Sequence, residues 1–551
     1  MLGQMMRMPL NISALLQHAE RYHGDTEIVS RSTETDSGDD GSPQPPAIQR
    51  YAYATAARRC RQLACALQRL GVREGQRIAT LAWNGYRHFE LYFSISGIGA
   101  ITHTINPRLF LEQIAWIVNH AEDSVLCFDL SFSALVARLQ PLCPSVRHWV
   151  AMCDRQHMPA LKLPGLLCYE ELLSAGGADF EWPLLDEELA SGLCYTSGTT
   201  GNPKGVLYSH RSTLLHALTA SLPDVMNLSA RDCVLPVVPM FHVNAWGIPF
   251  LAPLVGAKLV FPGAALDGAS LHQLFEQEQV SFAAGVPTVW LGLLQYLQSR
   301  GLRLSSVPRM IVGGAACPPA LMQAYAELGV KLQHAWGMTE LSPLGTVNTP
   351  KRQHEHQPPV AQAALAAKQG RPPFGIELKV VDGLGVDLPH DGQSTGELMV
   401  RGHWVAERYF RAGTTALRQG WFATGDVANL DLDGFLQITD RSKDVIKSGG
   451  EWISSIELEN IAMSHPAVAE AAALGMKHPK WDERPLLIVV KKPAAEVDRR
   501  SLLSFYQDRV AKWWIPDDVL FLDALPYTAN GKLSKLQLRQ QLGNYQWPAQ
   551  S

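Results

Sequence analysis

The chain has 551 residues, 46% of them hydrophobic and 18% charged, and a formal net charge of −4. This length is too great for one core and predicts two or more domains, and the balance is that of a soluble globular protein rather than a disordered one. A mildly negative chain has no electrostatic footprint for a nucleic-acid partner, and nine cysteines without a Cys-x-x-Cys spacing indicate neither a zinc site nor a disulfide framework.

Residues 1–9 are methionine-rich but hold no continuous apolar run with a cleavage site. Residues 10–22 read as an amphipathic helix, and residues 33–46, acidic and rich in Gly, Ser and Pro, as an exposed mobile loop. Leu63, Ala66, Leu67 and Leu70 share one face of a helix predicted over 52–70 and stopped by Gly71. Strands are expected at 77–83 and 125–129 with a helix at 88–96 between them. This alternation predicts an α/β architecture with largely parallel, buried sheets. Further on come a strand end at 193–194, a helix at 210–220 and strands at 281–286 and 310–312, with a helix starting at Pro287 and a strand end and loop over 333–340. The most apolar stretch, 246–261, is interrupted by Pro249, Pro253 and Lys258 and does not read as a membrane span. Beyond Gly370, short β-type runs at 377–381, 397–400, 421–426 and 435–440 predict a β-rich subdomain. From Arg441 a second α/β pattern begins, with helices at 456–464 and 502–512 and a strand at 486–490, so domains 1–440 and 441–551 are expected.

Residues 195–206 carry the most specific chemistry: Thr196, Ser197, Thr199 and Thr200 alternate with Gly198 and Gly201 and lead into Pro203, Lys204 and Gly205. Glycines admit a ligand close to the backbone, hydroxyls and freed N–H groups face anionic oxygens, and a lysine adds a compact charge. This composition is that of a polyphosphate cradle, without the Gly-Lys-Ser/Thr of the Walker loop. Thr339 and Glu340 offer a hydroxyl and a carboxylate to Mg²⁺ and phosphate, since Mg²⁺ takes few protein carboxylates plus substrate phosphates. Asp426 follows a tight turn and can accept two hydrogen bonds from a ribose diol. Asn530-Gly531 is a turn that projects Lys532. Residues 443–451, with Lys443, Lys447, Gly449 and Gly450, suit a hinge followed by a close-approach surface. Neither a Gly-x-Ser-x-Gly elbow nor a Gly-x-Gly-x-x-Gly fingerprint is present.

These motifs, in this order, resemble those of the adenylate-forming enzymes, and the whole chain resembles the fatty-acid–CoA ligases, most of all the medium-chain type of bacterial alkane and fatty-acid degradation. The resemblance implies a large mixed α/β N-terminal domain and a small mobile C-terminal domain. It implies ATP, Mg²⁺ and coenzyme A as cofactors and partners that are small molecules. Thr196, Ser197, Gly198, Thr199, Thr200 and Lys204 would hold phosphates, Thr339 a phosphate, and Glu340 the metal. Trp336, with His334, Ala335 and Gly337, would wall the adenine, Gly314 and Ala315 flank the purine, and Asp426 and Arg441 contact the ribose. Lys532 would be the essential lysine, although Tyr527 stands where family members carry arginine. Lys443 would be the pivot, and Lys447, Gly449 and Gly450 would serve the second half-reaction. Phe241, His242, Val243, Trp246 and Val286 would form the acyl site. His242 stands where peptide-synthetase domains place an aspartate for the substrate amine, which speaks against an amino acid. Trp246 resembles a gating tryptophan, with a core tryptophan as the alternative. The implied reaction activates a medium- to long-chain acid as acyl-adenylate and transfers it to coenzyme A. A reducing cytoplasm, a homodimer and transient contact with lipid are the associated expectations. The rival readings are a loader of a separate carrier protein and a non-catalytic acyl-nucleotide binder.

Overall fold

The computed structural model describes residues 1–34, 46–196, 202–306, 309–448, 451–478, 480–493, 495–528, 533–543 and 545–547. Two large sheets dominate. The first runs, in spatial order, Leu166–Cys168, His148–Ala151, Val125–Phe128, Arg77–Leu81, Ile101–Thr104, Ala190–Tyr195 and Gly205–Ser209. Every pairing in it is parallel except the last. The second has eight strands, from Leu344–Val347 through Lys331–Gly337, Arg309–Val312 and Phe282–Gly285 to Glu27–Arg31 and Ile48–Ala52, antiparallel only at its two ends. Strands covered on both faces have no need of alternation, which is why Ile78, Ala79 and Leu81, or Phe282, Ala283 and Ala284, are all buried in succession.

The helix Tyr86–Gly97 joins the two sheets. It is buried at every position from Arg87 to Gly97, with apolar residues on both sheet-facing sides and its polar groups paired inside. Phe89, Tyr92 and Phe93 pack with Phe250 and Phe261, on the side of the eight-stranded sheet. Leu91 and Ile95 pack with Ile78 and Val125 of the other sheet. Its one buried carboxylate, Glu90, is held by Arg59 at 2.6 Å and by the Tyr169 hydroxyl at 2.7 Å.

A third, antiparallel sheet comprises Ile376–Val381, Gly396–Gly402, Leu417–Arg418, Trp421–Leu430 and Leu436–Arg441. The fourth lies in the C-terminal part and is built on the hairpin Val468–His478 and Asp482–Lys491. The apolar clusters of residues 446–547 are drawn from that part of the chain alone. At the junction, Asp440 accepts the Ser455 N–H at 2.6 Å and the Ser455 hydroxyl at 3.0 Å. The Ser454 hydroxyl donates to the Thr439 carbonyl.

The helix expected at 502–512 is shorter and earlier: Arg499–Phe505, with Asp508 at φ 61°. Tyr506 turns inward there and donates its hydroxyl to the Leu458 carbonyl at 2.6 Å, and the positive φ at Asp508 keeps the helix from continuing. The apolar stretch 246–261 folds as the helix Ile248–Val255 and the strand Lys258–Phe261, and among the described residues no helix is long and apolar enough to cross a membrane. The acidic loop lies largely outside the described residues.

Candidate active site

A cavity of about 450 Å³ opens where strand ends of the eight-stranded sheet, the third sheet and the C-terminal part meet. One wall comes from the hairpin of Ala190–Tyr195 and Gly205–Ser209. Thr196 N–H donates to the Lys204 carbonyl at 2.9 Å and Lys204 N–H to the Thr196 hydroxyl at 3.3 Å, closing the neck of the predicted phosphate loop. Both Thr196 and Lys204 line the cavity. Ser197, Gly198, Thr199 and Thr200 lie outside the described residues.

Thr339 and Glu340 stand on a short 3-10 turn after the strand Lys331–Gly337. They are 6% and 7% exposed, and both line the cavity. Tyr409 donates its hydroxyl to Glu340 at 2.8 Å, and its ring lies 4.8 Å from the Lys204 ammonium. That ring bridges the carboxylate and the cation by a hydrogen bond on one side and a cation–π contact on the other. Burial first, then Glu340, pushes the Tyr409 phenol upward, so it stays a donor. Nothing in the sequence marked Tyr409, which sits in a loop without a motif.

Trp336 lines the cavity and donates from Nε1 to Asp426 Oδ2 at 2.9 Å. Arg441 Nε lies 2.8 Å from the other oxygen of Asp426. The two predicted ribose residues are thus paired across adjacent strands, in the register Asp426↔Arg441. Arg441 reaches the cavity, while Asp426 is 1% exposed behind it. Gly314, at φ 80°, Ala335 and Gly337 also line the space. At Gly337 a Cβ would fall 2.0 Å from the Pro343 carbonyl oxygen, so only glycine fits.

Other expected residues stand elsewhere. His334 is buried against the Ala367 carbonyl at 3.2 Å, and burial pulls its imidazole down to about 4. It supports the strand rather than lining the space. Ala315 is exposed, beyond the lining. Lys447 is exposed, its N–H on Glu483 at 3.0 Å. Lys443 sits on the rim. The protein around its ammonium lowers it below the usual lysine range, and Arg441 and Arg539 add to this against the pull of Asp444. Gly449, Gly450 and Lys532 lie outside the described residues, but Thr528 and Leu533, which flank the predicted lysine segment, both line the cavity.

Of the residues expected at the acyl site, His242, Val243 and Trp246 line the cavity, joined by Met226, Ile311 and Met338. Trp246 lines the cavity and at the same time packs, partly buried, against the core cluster. Phe241 is turned away, edge-on to Trp83 at 6.0 Å. Val286 caps the helix Pro287–Arg300 and is not part of the lining.

The chain can now be set beside known proteins. Residues 16–410 match the AMP-binding enzyme family and residues 457–532 the AMP-binding enzyme C-terminal domain. This chain belongs to the AMP-binding enzymes. It is an adenylate-forming acid–thiol ligase that uses ATP and coenzyme A. The ligase is 53% identical over 543 residues to a 3-methylmercaptopropionyl-CoA ligase of Ruegeria lacuscaerulensis, covering 98% of this chain and 99% of that one. It is 51% identical over 547 residues to a medium-chain-fatty-acid–CoA ligase of Ectopseudomonas oleovorans, covering 99% and 98%. A long-chain-fatty-acid–CoA ligase of Thermus thermophilus is 45% identical, covering 98% and 97%. Among solved structures, an anthranilate CoA ligase in complex with anthranoyl-AMP superposes with a TM-score of 0.84 at 25% identity, covering 98% of each chain.

Proposed function

We propose that the ligase activates a medium- to long-chain fatty acid. The acid's carboxylate attacks the α-phosphate of ATP, giving acyl-adenylate and pyrophosphate, and the thiol of coenzyme A then displaces AMP. The observation that carries this reading is the mixed lining of the cavity. Lys204, Arg441 and Lys443 line it together with Glu340, and so do the apolar side chains of Met226, Val243, Trp246, Ile311 and Met338. Each methylene buried there contributes about 0.8 kcal/mol, so an alkyl chain is favoured over a small polar acid. At His242, among the described residues of the acyl wall, no carboxylate is offered to an amine.

Glu340 would hold Mg²⁺, a single buried carboxylate beside Thr339 that leaves other positions to substrate phosphates, and the ion would neutralise charge on the phosphates. Lys204 and the hydroxyls of 196–200 would bind phosphate oxygens. Trp336, Asp426 and Arg441 would orient the nucleoside, and Lys532 would face the charge that develops at the α-phosphate. Residues 1–440 and 441–551 would act as two domains, the smaller turning about Lys443 between half-reactions.

A second reading has support in the relatives named for 3-methylmercaptopropionate, a short sulfur-containing acid. The test is coenzyme-A-dependent AMP formation with straight-chain acids from acetate to palmitate and with 3-methylmercaptopropionate. A maximum of kcat/KM at six carbons or more is expected. A maximum at butyrate or below, or at the thioether acid, overturns the fatty-acid reading.

A further inference from the structure

The acyl wall is wound in the unusual hand. Val243, Asn244, Ala245 and Trp246 have φ of 46°, 52°, 49° and 57°, and Gly247 follows at 80°. Asn244 and Ala245 have ψ of 42° and 43°, so four successive residues with side chains form a left-handed turn ahead of a glycine. In this hand Cβ crowds the following carbonyl oxygen, and for a β-branched residue such as Val243 the conformation is a genuine outlier. A run of this kind persists only where its surroundings over-determine it.

Those surroundings converge on Asn244. Asparagine is among the few residues that visit this region readily. Its Oδ1 accepts from Cys194 Sγ at 3.4 Å and lies 3.3 Å from the Tyr92 hydroxyl, which donates to the Met240 carbonyl just ahead of the turn. The backbone N–H groups of Val243 and Asn244 both face the sulfur of Cys194, which Thr104 Oγ1 also approaches at 3.3 Å. Ala245 N–H donates to the His242 carbonyl at 3.3 Å and Gly247 N–H to the Asn244 carbonyl at 3.0 Å, so the turn has its own short ladder. Behind it the His216 imidazole lies 2.7 Å from where a Cβ on Gly247 would be, which excludes a larger residue. Cys194 is on the strand Ala190–Tyr195, two residues before Thr196 at the neck of the phosphate loop.

The turn delivers Trp246. Its ring lines the cavity and closes on Gly313, where an added Cβ would meet it at 3.2 Å. The position of the indole is therefore fixed by backbone winding rather than by a side-chain hydrogen bond that the sequence would reveal.

We propose that Asn244 is a positioning residue that locks the left-handed turn and so holds Trp246 as the wall that sets which acid fits. The inference rests on the fatty-acyl reading above. Asn244→Ala removes the acceptor for Cys194 and the residue best suited to positive φ, while Tyr92 keeps the Met240 carbonyl, and the turn relaxes. Asn244→Gly removes the acceptor but keeps the backbone at ease.

The test is a double-mutant cycle on acid selectivity with purified enzyme. Wild type, Asn244→Ala, Trp246→Ala and the double variant are assayed for kcat/KM with butyrate, octanoate and palmitate, together with KM for ATP and thermal unfolding. Asn244→Ala should flatten the ranking of acids tenfold or more while KM for ATP changes less than twofold. In the Trp246→Ala background it should change the ranking no further, because the lock acts through that ring. Asn244→Gly should fall between Ala and wild type, and serves in place of Asn244→Ala should the latter not fold. An unchanged ranking in a folded Asn244 variant, or additive effects in the double variant, overturns the proposal. A wild type that prefers a short acid overturns the fatty-acid reading instead, and the cycle is then scored on the acids it does accept.

Discussion

Trp336→Phe separates the ring from its hydrogen bond. The indole N–H donates to Asp426 at 2.9 Å, with donor residue and acceptor residue 8% and 1% exposed. Phenylalanine keeps an aromatic wall and removes the donor. A hydrogen bond to a charged group is worth about 1.5–3 kcal/mol, and 1.4 kcal/mol is tenfold in affinity, so the full loss is roughly 10- to 150-fold. Arg441 stays at 2.8 Å from the same carboxylate and limits its swing, which places the expected effect near the lower bound. KM for ATP should rise about tenfold while KM for the acid stays within twofold, because Asp426 is assigned to the nucleoside side. Steady-state kinetics in both substrates and calorimetric titration with AMP measure this. A folded variant whose nucleotide affinity changes less than twofold would refute the idea that this bond orients Asp426 for ribose.

Lys532→Ala should block acyl-adenylate formation yet spare thioester formation from supplied acyl-adenylate and coenzyme A; equal damage to both half-reactions in a folded variant would remove the role. Asp129, 4% exposed, gives a pH signature. Burial raises its carboxyl to about 6 against the opposing bonds from Trp83 and Thr33, compared with about 3.9 in an unfolded chain. The fold therefore favours the protonated form: the contribution is complete below pH ~4 and is lost as pH rises through 6. Asp129→Asn lacks that slope, so between pH 4 and 7 its stability should gain on wild type by at most about 3 kcal/mol. Urea unfolding at both pH values measures the gap, and a gap independent of pH would contradict the assignment.

The elements that were legible are those whose periodicity reports burial directly. The helix Tyr53–Arg69 and the strands Val125–Phe128 and Arg309–Val312 stand within a few residues of their expected bounds. The cavity lining was legible where phosphate and metal chemistry would need a fixed composition, as at Thr196, Lys204, Thr339 and Glu340. It was not legible at Tyr409 or Met226, whose roles arise only because distant loops meet. The segment 502–512 misled because Tyr506 supports a helical pattern, yet its hydroxyl is recruited by the Leu458 carbonyl and the backbone turns to positive φ at Asp508. The left-handed turn at 243–246 was hidden for a similar reason. Val-Asn-Ala-Trp carries no glycine, and the groups that enforce its winding, Tyr92 and Cys194, are about 150 and 50 residues away along the chain.

Asp440 gives the junction a character that a bare pivot would lack. It lies on the strand Leu436–Arg441, yet its carboxylate is occupied by Ser455, the first residue of the helix Ser455–Met463. Lys535 reaches the same serine and pairs with Glu459 at 2.6 Å, so two segments of the C-terminal part share one fastening with the strand that carries Asp440. A turn of the C-terminal part about Lys443 would separate Ser455 from a carboxylate that is 1% exposed. A clasp of this kind favours two discrete poses over continuous drift, because buried polar groups are stable only when fully partnered. Its release involves no atom of the acid. Substrates of different length would then meet the same ceiling on turnover and be told apart in how tightly they are held.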